Sequence, residues 1–297
     1  MRALSLGLLA TFLVAAADPA PSASPAPALV HAKPALWKVA DKDTTIYLFG
    51  TIHLLKPETR WFEGKIKTAF DASDELVLEM VEPSPAEAQK IVLTRAIDPD
   101  GPPLTQKLTP DDAAKYKAAL QSVGLDPAQL ESFEPWFAST LITMAPMQKL
   151  GFDPSSGAEK VLTGQARATA KKIGALETMD QQIGFFDTLP EDQQIKFLNS
   201  AVRELPEAQK VTSAMIGSWA AGKPDRLAAV MNDGMTELPE IKKVLLTDRN
   251  RTWADWIARR MEQPGTIFIA VGAGHLAGKD SVQAMLKAKR LKAVRIN

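Results

Sequence analysis

Three histidines occur in 297 residues, and two of them share one local grammar. Each follows a hydrophobic run, with a glycine three positions before it: Leu48-Phe49-Gly50-Thr51-Ile52-His53 and Ala270-Val271-Gly272-Ala273-Gly274-His275. Imidazole is the commonest side-chain metal ligand and moves protons near neutral pH. Glycine beyond a strand lets the backbone turn sharply or approach a ligand closely. One Gly-x-x-His is a weak motif. The plain alternative is two unrelated strand-end histidines, each satisfied by a backbone hydrogen bond. The matched pair carries the signal.

Two histidines do not complete a catalytic metal site, which usually takes three protein ligands and an open position for water. Glu79, at the end of the run Leu76-Val77-Leu78, is the obvious third group. It would bind the metal, or take a proton from metal-bound water. The alternative is a solvated strand-end acid among Asp74, Glu75 and Glu82. The chain has no cysteine, so thiolate sites, thiol nucleophiles and disulfides are excluded. Nitrogen and oxygen ligands leave Mn²⁺, Co²⁺ and Zn²⁺ open. Asp248-Arg249-Asn250-Arg251 reads as a helix start capped by Asp248. The helix dipole disfavours arginine there, which points Arg249 or Arg251 at a substrate carboxylate or an oxyanion. Plain solvation is the alternative.

The elements that must position these residues lie at the two ends of the chain. Leu36–Val39 and Thr45–Phe49 flank the turn Asp41-Lys42-Asp43 and read as a hairpin. Phe62 to Ser73 has helical spacing, and Glu75–Glu79 follows as a strand. Ser84-Pro85-Ala86-Glu87 and Thr109-Pro110-Asp111-Asp112 are capped helix starts. The text from Gly124 to Leu246 is mostly helical, with starts near Pro135, Pro190, Pro206, Pro224 and Pro239. One strand interrupts it at Ile173–Glu177. The end returns to alternation: a helix to Arg260, the apolar strand Thr266–Val271, a helix over Ser281–Lys289 and a last strand Ala293–Ile296. The simplest fold is α/β (α+β), a central mixed sheet assembled from both ends with the helical middle packed over it. Such a sheet brings positions 53 and 275 together. Ligands in open α/β sheets gather beyond the carboxyl ends of strands.

Composition bounds the rest. Hydrophobic residues make up 45% and charged residues 24%, enough for a sizeable core. The 35 basic side chains match the 35 acidic ones, with no basic stripe, which argues against nucleic acid as a partner. Residues 1–17 read as an export signal: Arg2, an apolar run from Leu4 to Val14, then Ala15-Ala16-Ala17. That run is short for a membrane span. The expected place is the periplasm or outside the cell. Residues 18–33 are Pro/Ala-rich and read as an extended linker in which His31 is merely solvated. Residues 34–297 form the expected domain.

Six motifs in order resemble the TraB/PrgY/GumN family, which includes the Tiki-type metalloproteases. They are Gly50-Thr51-Ile52-His53, Asp74–Glu79, Gly151-Phe152-Asp153 with Gly157-Ala158-Glu159, Ala175-Leu176-Glu177-Thr178 followed by Gln181 or Gln182, Asp248-Arg249-Asn250, and Gly272-Ala273-Gly274-His275. The resemblance spans about residues 36 to 297. It implies a fold like that of the erythromycin esterase and ChaN group. It also implies a site of His53, His275 and Glu79 around a divalent metal, with Arg249 in support. The activity it implies is metal-dependent hydrolysis, with a peptide or protein substrate. A periplasmic protein that binds peptide or haem without turnover is the alternative, since ChaN-like relatives bind haem. An ester or lactone substrate is a third reading.

Overall fold

The computed structural model describes residues 28–297. The expected export signal and most of the linker lie outside the described residues. Strand β1 (Val30–His31) is followed by β2 (Leu36–Ala40), β3 (Thr44–Thr51), β4 (Thr59–Arg60) and β5 (Glu75–Met80). Strands β6 (Lys172–Glu177), β7 (Gly265–Gly272) and β8 (Val294–Arg295) follow. Six of them form one mixed sheet in the order β6-β5-β7-β3-β2-β8, and β1 pairs with β4 in a small second sheet.

The four strands β6, β5, β7 and β3 run parallel. Strand β2 joins antiparallel through the Asp41–Thr44 turn, where Asp41 Oδ1 accepts from the amides of Asp43 and Thr44. Strand β8 closes the edge against β2. The sheet is therefore assembled from both ends of the chain, with the buried apolar text of parallel strands. Alternation sorts the side chains to two faces. Phe49, Leu76, Leu78, Phe268 and Ala270 face the helices Gly64–Asp71 and Ala158–Ala168 and the aromatic pair Trp61 and Trp219. Ile46, Leu48, Val77, Ile267, Ile269 and Val271 face Trp253 and Ile257 of the helix Arg249–Arg260 and Leu286 of the last helix. A third core, with Tyr116, Leu120, Ile142 and Leu198, sits inside the helical middle.

The helix starts behave as their residues dictate. Ser84 and Thr109 accept from the amides of Glu87 and Asp112, and Gly124 ends its helix at φ 82. One start differs. Asp248 is not a cap: its φ of −71 and ψ of −37 are helical, and no side-chain cap bond forms. The chain is already helical from Pro239, and Lys243–Asp248 is a π-helical stretch inside that run. Arg249 is thus not at an exposed helix start, and the dipole argument has no premise here. His31 also differs from a free linker residue, since it lies in β1 with Nδ1 2.9 Å from Glu63. Among the described residues no helix is long and apolar enough to cross a membrane.

Candidate functional site

Parallel pairing puts the carboxyl ends of four strands at one edge of the sheet. Thr51 pairs with Gly272, and Met80 pairs with Glu177. His53, Glu79, Glu177 and His275 therefore leave the sheet from the same side. The two histidine loops come from adjacent strands and touch. A Cβ on Gly50 would stand 2.9 Å from Ala273 Cα, closer than carbon atoms pack, so glycine sets how closely the loops approach. Trp219 Nε1 donates to the buried Gly50 carbonyl at 2.7 Å and pins the first loop.

The first loop is strapped by the segment Asp153–Ala158. Asp153 N–H donates to Leu55 O, and Ala158 N–H donates to Ile52 O, both at 3.0 Å. A Cβ on Gly157 would meet the His53 carbonyl oxygen at 2.1 Å, so only glycine allows this approach. The helix that begins there delivers Glu159, whose carboxylate lies 2.7 Å from His53 Nδ1. That carboxylate raises the His53 imidazole to about 9. The ring is 70% exposed, whereas that of His275 is 9% exposed.

His275 is held on its other face. Asn250 is fully buried; its Nδ2 donates to Asp280 O at 2.8 Å, which turns Oδ1 toward His275 Nδ1 at 2.6 Å. Nδ1 therefore carries the proton and Nε2 presents its lone pair. Burial pushes His275 down to about 3, so the ring is neutral. Trp253 backs the imidazole, ring centroids 4.3 Å apart.

Glu79 stands between these groups. Its Oε1 accepts from Gly272 N–H at 2.5 Å, and its Oε2 accepts from Arg249 Nη2 at 2.7 Å and Gln182 Nε2 at 3.2 Å. Burial opposes ionisation, but the Arg249 guanidinium and the Gly272 amide outweigh it and hold the Glu79 carboxyl below the usual carboxylate range. His275 Nε2 is 3.8 Å from its Oε1.

Arg249 ties the cluster together. Nε and Nη2 donate to the two oxygens of Glu177 at 3.0 and 2.8 Å, and Nη2 also reaches Glu79. Nη1 donates to Leu245 O at 3.2 Å and lies 3.3 Å from His275 Nε2. All five N–H donors of the guanidinium are committed. Its plane lies between Phe185 and Trp253, 5.4 and 4.9 Å from the ring centres. Leu245 belongs to the π-helical stretch, a local feature common at functional sites.

His53, Glu79, Arg249 and His275 all line one cavity of about 510 Å³, a size that holds one small molecule. The structure thus brings all four expected residues to one chamber. The donor chemistry suits a divalent ion. Each imidazole has Nδ1 facing an oxygen, the arrangement that frees Nε2 for a metal, and Glu79 is ionised. Their placement is not closed around one: among the described residues no three metal donors stand together, and Arg249 contacts both Glu79 and His275.

Four further residues escaped sequence reasoning as site members. Glu177 is 8% exposed and accepts from Arg249, Gln182 Nε2 and Trp253 Nε1. Asn250, Glu159 and Gln182 complete the set. All four sit inside the ordered motifs, so the signal was present, but only contact shows which side chain each motif delivers.

The chain belongs to the TraB/PrgY/gumN family, whose model matches residues 35–295. An uncharacterized protein of Treponema pallidum is 21% identical over 287 residues, covering 89% of this chain and 84% of its own. The uncharacterized protein YbaP of Escherichia coli is 22% identical over 242 residues, covering 81% of this chain and 87% of its own. YbaP of Shigella flexneri gives the same figures. No solved structure matches the chain.

Proposed function

We propose that this member of the family is a metal-dependent hydrolase of a carbonyl linkage, acting outside the cytoplasm. The observation that carries the reading is the oriented pair of imidazoles. His53 faces Glu159 and His275 faces Asn250 through Nδ1, and both share one chamber with ionised Glu79. His275, Glu79 and His53 would hold Mn²⁺, Co²⁺ or Zn²⁺. When bound, the ion supplies Lewis acidity and lowers the pKa of bound water.

The chain's own groups do the rest. Asn250 fixes the tautomer that puts the His275 lone pair on Nε2, where Arg249 Nη1 lies 3.3 Å away and would give way to an ion. Glu159 faces Nδ1 of His53 at 2.7 Å as its counter-charge, and that ring loses a proton when it becomes a ligand through Nε2. Glu79 is a ligand or accepts the proton of the attacking water. Arg249 is a positioning residue: its donors are committed to Glu79, Glu177, Leu245 and His275, and it fixes both carboxylates. A peptide amide is the substrate linkage that the family resemblance suggests.

The test compares hydrolysis of a peptide amide and of a neutral acyl ester by metal-loaded wild type, His53→Ala and Glu79→Ala. The expected result is a loss of about 10² or more in each variant. Equal activity in all three would sink the proposal. Mn²⁺ titration by calorimetry checks the ligand set separately. A haem titration gives a visible absorbance band only if the cavity is a haem pocket.

A further inference from the structure

Beyond its polar floor the cavity is walled by helices of the middle region, Pro135–Lys149, Glu191–Glu204, Ala208–Ala220 and Pro224–Met235. Five of the described methionines line it: Met144, Met147, Met215, Met231 and Met235. Unbranched thioethers pack against apolar surfaces of varied shape. Met144 and Val211 are 43% and 38% exposed, so the apolar lining continues to solvent.

The walls offer a peptide backbone almost nothing. Helical amides and carbonyls are satisfied within their own helices. The wall's polar side chains are engaged as well. Thr143 donates to Ser139 O, Thr212 to Met147 Sδ, and Glu204 accepts from Ser200. The strands that reach the cavity, β3, β5 and β7, are interior to the sheet, so no free strand edge is available for strand addition. An extended peptide would bury about two polar backbone groups per residue there without partners, whereas a hydrocarbon chain buries none.

Charge points the same way. The cations among the described lining residues are His53 and Arg249. His53 is paired with Glu159, and Arg249 has no donor left. A carboxylate or phosphate head finds no uncommitted counter-charge, while a neutral carbonyl linkage needs none.

We propose that the cavity binds the apolar chain of a neutral acyl ester or acyl amide. The chain lies among the methionines, and the carbonyl lies at the Glu79–His275 floor. The chain site stands on the cavity alone; cleavage at that carbonyl rests on the hydrolase reading above. In that cleavage, water adds its oxygen to the acyl carbon and the bond to the ester oxygen or amide nitrogen breaks. The leaving atom takes one of the water's protons, and the other passes to solvent or, for an amide, to the product amine. The products are an ionised fatty acid and an alcohol or amine.

The test is displacement of the neutral dye N-phenylnaphthylamine from the full chain by methyl decanoate, decanoate and trileucine amide. The expected order puts methyl decanoate about tenfold or more tighter than either competitor. Met215→Glu and the rim variant Met144→Glu, each checked for fold by circular dichroism, weaken methyl decanoate about tenfold or more. Tighter binding of trileucine amide, equal binding of decanoate, or no displacement in wild type overturns the proposal. Binding of methyl decanoate without turnover by the metal-loaded protein supports the chain site and overturns the hydrolase reading instead.

Discussion

Replacing Arg249 by methionine tests whether the guanidinium is the counter-charge that makes the site tenable. Glu79 and Glu177 have side chains only 13% and 6% exposed, and Arg249 bonds both. Removing one partner of a buried pair costs about 3–5 kcal/mol, because the remaining charge is stranded. The contacts with Phe185 and Trp253 add about 0.5–2 kcal/mol. A loss of 3–5 kcal/mol is a large share of a total stability of about 5–15 kcal/mol. At about 2–4 °C per kcal/mol, the midpoint should fall by about 6–20 °C. Scanning calorimetry reads this directly. The decisive comparison adds Glu177→Gln, which keeps an acceptor for Trp253 Nε1 but removes one stranded charge. In the Arg249→Met background it should recover about 1–3 kcal/mol, although in wild type it destabilises. A midpoint loss below about 3 °C for Arg249→Met, about 1 kcal/mol, would refute the counter-charge argument. So would an equal cost of Glu177→Gln in both backgrounds.

Four other outcomes are expected. Asn250→Ala removes the oxygen that orients His275 and should weaken Mn²⁺ binding by about 10–100-fold in calorimetry; unchanged affinity would remove Asn250 from the site. Gly50→Ala drives a methyl against the Ala273 backbone and should cost about 1–3 kcal/mol in urea unfolding. Gly164, where a Cβ meets nothing within 4 Å inside a helix, should gain about 0.5–1 kcal/mol as alanine. His53 rests protonated near neutral pH, held up to about 9 by Glu159, so metal binding must release one proton. Affinity should rise about tenfold per pH unit up to about 9, with proton release seen as a buffer-dependent heat; a flat profile removes His53 as a ligand.

The amino-acid sequence by itself determined the local elements and the two loops. Alternation and apolar runs placed Thr45–Phe49, Glu75–Glu79 and Thr266–Val271 in strands, because side-chain period and residue type act over a few neighbours. Caps at Ser84 and Thr109 were readable for the same reason. Asp248 misled because its type permits a cap, while the preceding residues continued the helix through a π-helical stretch. Tertiary structure alone decided the partners. His53 and His275 meet because β3 and β7 are adjacent and parallel in a register that pairs Thr51 with Gly272. Glu159, Glu177 and Asn250 enter the site from three distant segments, each fixed by a contact that no local pattern encodes. In the sequence the guanidinium of Arg249 reads as a group aimed at a substrate carboxylate or oxyanion, or as a solvated charge. Only the fold shows it buried between two carboxylates and two aromatic rings, where desolvation makes each of those contacts obligatory.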